Sequence, residues 1–208
     1  MIIDVWSDVV CPWCFIGRRR LQKAVRDFGA GQEVTIRHRA FQLQPDIHET
    51  VPTADHLSRK YGIDKKKVAE MQANVCSIAD GEGLCYNLEN TLSGNTANAH
   101  RLILWAATIG RDDDLLEAIY AAYFENSQPI FSTEELLKIA DSIGIDRNAA
   151  KALLDSTDFA VQVEGDQRLA AQLGATGVPF YVIDMHSAIS GAQPQTTFNQ
   201  IFVGSHSQ

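Results

Sequence analysis

Two cysteines, Cys11 and Cys14, stand in the stretch SDVVCPWCFIGRRRL with Pro12 and Trp13 between them. Such a pair can form a reversible disulfide, supply half of a zinc site, or lie buried and inert. The flanking residues help to choose. Residues 2–9 read as a strand, because Ile2, Ile3, Val5, Trp6 and Val9 are β-branched or aromatic. Beyond Pro12, Phe15, Leu21, Ala24, Val25 and Phe28 recur at roughly helical spacing, with Arg18, Arg19, Arg20 and Lys23 largely on the other face. This predicts a helix over 12–28. Pro12 then takes the first helical position, where its missing N–H costs nothing. Cys11 falls at the helix N-terminus, where free N–H groups and the helix dipole stabilise a thiolate. Cys14 lies one turn in and is shielded. Positions i and i+3 bring Cβ atoms to about 5–6 Å, and a disulfide takes about 3.5–4.5 Å, so a slight tightening of the turn closes the bond. The expected roles are Cys11 as attacking sulfur and Cys14 as resolving sulfur.

Zinc would need two further soft ligands, usually another close pair. Cys76 and Cys85, with eight residues between them, fit no usual zinc spacing, so no metal is expected. A disulfide bridging these two across the Gly-rich turn CSIADGEGLC is conceivable, but two separate buried thiols are the preferred reading.

The elements that must position the pair follow in order. A second strand is expected near 33–41, then an irregular connection, QLQPDIHETVPT. Nearly continuous helix follows from about 54 to 155, with a capping box at Ser132 and Glu135 and C-terminal caps at Gly110 and Gly144. One more helix at 158–173 precedes a strand in GVPFYVID, a return strand at 187–190 and a last helix near 195–203. The fold class is α/β. The order β-α-β, helical block, α-β-β-α is that of a thioredoxin fold with a large all-helical insertion. Residues 1–45 and 156–208 would form the thioredoxin-like domain, and 46–155 the insertion.

The segment around the cysteines resembles the active site of the DsbA family of thiol-disulfide oxidoreductases, in its FrnE-like branch. FQLQPD at 41–46, GNTANAHRL at 94–102, GATGVPFYVID at 174–184 and SAISGAQ at 187–193 extend the resemblance along nearly the whole chain. It implies a cis proline opposite the pair at Pro179, with the backbone of Val178 turned outward to meet substrate. Trp13 is expected either on the docking surface or packed against neighbouring helices. Asn95 and His100 match a family motif on a helix that could approach the pair, although a lone histidine is more often structural. Arg101 could hold an anionic substrate group, and a surface ion pair is its plainer reading.

The expected function is therefore thiol-disulfide oxidoreductase: disulfide oxidase, reductase or isomerase. Its redox group is the Cys11–Cys14 disulfide itself, with no bound cofactor and with glutathione as a candidate co-substrate. A glutathione-dependent isomerase or transferase of the 2-hydroxychromene-2-carboxylate isomerase or kappa type is the alternative. Those enzymes carry serine where Cys11 stands, so retention of both cysteines argues against it. A non-catalytic binding module ranks third. The partners expected are protein or small-molecule thiols and disulfides.

The 208 residues carry a formal net charge of −8, which argues against nucleic acid, and the triplets at 18–20 and 65–67 read as solvated helix faces. The longest apolar run, around Leu102 to Ile109, is far short of the roughly 20 residues that cross a bilayer, so no membrane contact is expected. No signal-like segment precedes the first strand, and the expected location is the cytoplasm. Four cysteines are too few for a disulfide scaffold and agree with a reducing compartment.

Overall fold

The computed structural model describes residues 1–28 and 33–205. Its main sheet has the strand order β2-β1-β5-β6. Strand β1 (Ile2–Ser7) lies parallel to β2 (Thr35–Ala40) and antiparallel to β5 (Phe180–Ile183), which pairs with β6 (Ser187–Ser190) as a hairpin. A central strand is covered on both faces, which is why β1 reads as an almost unbroken apolar run. Ile3 and Val5 face Leu21 and Ala24 of α1 (Pro12–Phe28) and Phe198 and Phe202 of α9 (Gln195–Ser205). Trp6 points the other way, packs with Ala170 of α8 (Ala160–Gln172) and donates its indole N–H to the Asp166 carbonyl at 2.8 Å. The charged member of the strand, Asp4, is buried and is paired by Arg37 and Arg39 from β2 at 2.6–2.9 Å. Burying that carboxylate without partners would be costly.

Between the two halves of the sheet come α2 (Thr53–Tyr61), α3 (Lys65–Asp80), α4 (Ala97–Ala107), α5 (Asp112–Tyr120), α6 (Thr133–Ser142) and α7 (Arg147–Asp155). The capping box of α6 is formed, with Ser132 accepting from Glu135 N and the Glu135 carboxylate accepting from Ser132 N. Gly110 and Gly144 follow their helices at positive φ. The insertion is not all-helical. Val51–Pro52 (β3) and Leu92–Ser93 (β4) form a short antiparallel pair, where the sequence expectation is an irregular connection at the first and nearly continuous helix at the second. Two-residue strands flanked by proline and glycine leave no periodic signal. Helix α5 also runs into a π-helical turn, Ala121–Glu125, which brings Tyr123 and Phe124 inward.

The arginine triplet is not a solvated face. Arg18 is buried against Asp113 and Glu117 of α5, Arg19 pairs with Glu117 and lies over the Phe15 ring, and Arg20 pairs with Glu82 beyond α3. These charges fasten α1 to the helical block. Lys65, Lys66 and Lys67 are exposed, as solvated residues should be.

Candidate active site

Helix α1 begins at Pro12, so Cys11 sits where strand β1 and its turn hand over to the helix. The turn is closed by Cys11 N–H donating to the Asp8 carbonyl at 3.1 Å and Cys14 N–H to the Cys11 carbonyl at 2.9 Å. Both cysteines are buried and in the dithiol form. Burial pushes the Cys14 thiol well above its ordinary range, and the neighbouring Cys11 sulfur pushes it further. Cys14 therefore holds its proton, which leaves Cys11 as the sulfur placed to attack.

The peptide bond between Val178 and Pro179 is cis, and the Val178 carbonyl lies 3.6 Å from Cys11 Sγ. Helix α1 can come this close because residue 17 is glycine. A Cβ there would stand 2.2 Å from the Tyr181 hydroxyl and 3.1 Å from Pro179 Cγ. Aromatic rings wall the other side, with Phe15 stacked on Tyr120 at 4.8 Å and on Tyr86 at 6.1 Å. Tyr86 also donates its hydroxyl to the Pro12 carbonyl at 2.8 Å, fixing the first turn of the helix from 74 residues away. Burial drives the Tyr86 and Tyr120 hydroxyls up, so both stay neutral, and the buried Tyr120 hydroxyl has no hydrogen-bond partner among the described residues.

Trp13 is exposed and, with Cys11 and Pro12, lines a cavity of about 210 Å³. Its opposite wall comes from α2, α3 and the π-helical turn.

The three auxiliary residues each make contacts that tie elements together. Asn95 accepts from Ala97 N at the start of α4 and donates to the Pro45 carbonyl at 2.9 Å, tying the helix to the segment after β2. His100 is buried, with Nε2 3.2 Å from Asp8 Oδ1, and the other Asp8 oxygen accepts from Leu43 N at 2.8 Å. Asp8 links it to the cysteine turn. Arg101 is not at the surface. It is buried and donates to the Leu153, Ser156 and Asp158 carbonyls at 2.6–2.9 Å, at and just beyond the C-terminal end of α7. The expectation for Cys76 and Cys85 also needs correction. They are unpaired, but Cys76 is half-buried on α3 and Cys85 is exposed, so they are not two buried thiols.

Asp8, Gly17 and Tyr86 did not emerge from the sequence as site residues. A glycine inside an otherwise helical pattern is a signal of close approach that could have flagged Gly17. Nothing local marks Tyr86.

Comparison with known proteins agrees with this geometry. The crystal structure of a probable DsbA oxidoreductase from Streptomyces coelicolor superposes with a TM-score of 0.95 at 35% identity, over 100% of this chain and 91% of that one. The uncharacterized protein YwbO of Bacillus subtilis is 24% identical over 95% of this chain and 94% of its own. The cytosolic disulfide reductase DsbM of Pseudomonas aeruginosa, solved also with GSH, shares the fold at a TM-score of 0.69 and 15% identity, over 100% of both chains. The family model described as a DSBA-like thioredoxin domain matches residues 2–203, and the chain belongs to this DSBA-like family of thiol-disulfide oxidoreductases.

Proposed function

We propose that the protein cycles Cys11 and Cys14 between dithiol and disulfide while reacting with the disulfides of other molecules. The observation that carries this reading is the asymmetry of the pair. Cys11 lines the cavity and meets the Val178 carbonyl, whereas Cys14 is sealed beneath it and held protonated. In the reductive direction, the Cys11 thiolate attacks one sulfur of a substrate disulfide, and the other sulfur leaves as a thiolate. Cys14 then gives up its proton and attacks Cys11 Sγ, releasing the second substrate thiol. Two electrons pass from the dithiol to the substrate, and the Cys11–Cys14 disulfide remains. The roles of Pro12, Trp13, Val178 and Pro179 are to frame this exchange. Residues 1–45 and 156–208 carry the chemistry, and 46–155 supplies the far wall of the cavity.

Reduction in a reducing compartment is the favoured direction, with glutathione as the thiol that returns the disulfide to dithiol. The likeness to a cytosolic reductase solved with GSH supports this choice. Cys14 is what separates the proposal from a glutathione-dependent isomerase, which would work with one activated side chain.

The test is equilibration in a series of glutathione redox buffers, with the Cys11–Cys14 state read by alkylation and mass. A single two-electron transition, lost in Cys11→Ser, is expected. Failure of the pair to oxidise anywhere in that range, or turnover that survives Cys14→Ala, would favour the isomerase instead.

A further inference from the structure

The cavity beside Cys11 has a chemical character of its own. Its volume, about 210 Å³, exceeds the roughly 150 Å³ that accommodates one benzene ring in an engineered protein cavity. Leu57, Tyr61, Met71 and Val75 make its far wall apolar, and among the described residues no aspartate or glutamate lines it. At its mouth stands Lys60, whose ammonium lies 5.8 Å from the centroid of the Tyr61 ring and makes no ion pair among the described residues. Gln44 also lines the cavity, and its buried amide oxygen has no hydrogen-bond partner. The apolar wall and the cation at the rim are complementary to a ligand that combines an apolar ring with an anionic group, while the unpartnered Gln44 oxygen, an acceptor, takes no part in holding the anion.

We infer that this cavity selects small aromatic disulfides bearing a carboxylate, seating the ring against α2 and α3 and the carboxylate at Lys60 while a ring-attached sulfur meets Cys11. The inference rests on Cys11 being the attacking sulfur. The exchange is the one already described: a Cys11–S–aryl bond forms, the first aryl thiolate leaves, and Cys14 displaces the second. One disulfide is consumed, two aryl thiols appear, and the protein dithiol supplies both electrons.

Two aromatic disulfides serve as probes, the dianionic 5,5′-dithiobis(2-nitrobenzoate) and the neutral 4,4′-dithiodipyridine. Single turnovers of the reduced full chain are followed in a Cys76→Ser, Cys85→Ser background, which removes the exposed competing thiol of Cys85. Lys60→Gln is expected to slow the dianion about three- to fivefold, the range of an exposed ion pair, and to leave the neutral probe within twofold. Lys66→Gln, an exposed lysine outside the cavity, controls for the general field and should change neither rate. Tyr61→Ala should slow both aromatic probes and spare the aliphatic hydroxyethyl disulfide. Equal effects of Lys60→Gln on the two probes, equal effects of Lys60→Gln and Lys66→Gln on the dianion, or no loss in Tyr61→Ala would overturn the inference while leaving the dithiol reading intact. No reaction of Cys11 with either probe would bring down the dithiol reading itself.

Discussion

Cys14 sets the pH behaviour of the site. Burial raises its thiol, first by removing water and then through the neighbouring Cys11 sulfur. Resolution of a mixed disulfide on Cys11 consumes the Cys14 thiolate, so its rate should climb about tenfold per pH unit and show no plateau up to about pH 9, close to the ordinary thiol value. Acid-quenched single turnovers across pH 6–9 would measure this, and a plateau near neutrality would contradict it. Stability follows from the same shift. A group whose folded value lies above its unfolded one stabilises the native state fully below the unfolded value, and that contribution is lost as pH rises through the folded one. The reduced protein should therefore weaken from about pH 8.5 upward, and Cys14→Ser should remove that alkaline loss. At this scale the sequence was most legible where chemistry is local. The cysteine spacing and the proline between them marked the helix start directly, and a family resemblance placed Pro179. Arg101 was misjudged because the carbonyls it caps lie 52–57 residues onward, and no local pattern reveals such partners.

Helix α1 joins two environments, and each face of it can be tested. On the sheet side, Gly17 allows contact with Tyr181 and Pro179. Tyr181 is fully buried and has no room to retreat, so a methyl group at residue 17 must displace the helix. Gly17→Ala should cost about 1–3 kcal/mol in denaturant unfolding, despite alanine being the better helix former. A stabilised variant would refute the close approach. On the other side, Arg18 bonds Asp113 at 2.8 Å and Glu117 at 3.0 Å. Arg18→Met should cost about 1–3 kcal/mol at neutral pH, the usual worth of charged hydrogen bonds. The Asp113 carboxyl is held well below its ordinary range, chiefly by His38 and then by Arg18. Burial would raise Glu117, but bonds from Arg19 and Arg18 outweigh it. Both folded values are depressed, so the pairing stabilises above about pH 4 and is lost as pH falls through the folded values. The gap between wild type and Arg18→Met should narrow in acid, and a gap independent of pH would mean that packing, not charge, was lost. The helix itself was legible to the residue, Pro12–Phe28, because apolar spacing and an N-terminal proline mark it. Its arginine clamps were not, since a charged triplet reads alike whether it meets water or carboxylates from other helices.

Across the whole molecule, the apolar core does not respect the division of the sequence into a thioredoxin-like part and an insertion. One buried cluster runs from Val9, Cys14 and Phe15 at the sheet end of α1 through Leu102, Leu115 and Phe124 to Leu153 and Leu154 of α7. Phe15 is its junction, fully buried and stacked on Tyr86, Tyr120 and Phe124 from the helical side. The order of elements revealed that a helical block interrupts a sheet, but not that both share a core, because periodicity reports which face is apolar and never what covers it. A shared core makes unfolding of the helical block alone expensive, since it would expose the cysteine pair and the Phe15 face of α1 together. Thermal unfolding should therefore be a single transition with calorimetric and van't Hoff enthalpies in agreement, as for a two-state domain. Phe15→Ala should lower stability by about 3–5 kcal/mol and keep that single transition. Two separated transitions in the wild type would mean that the block between the sheet halves folds on its own and that the active-site cavity between them can open without global unfolding.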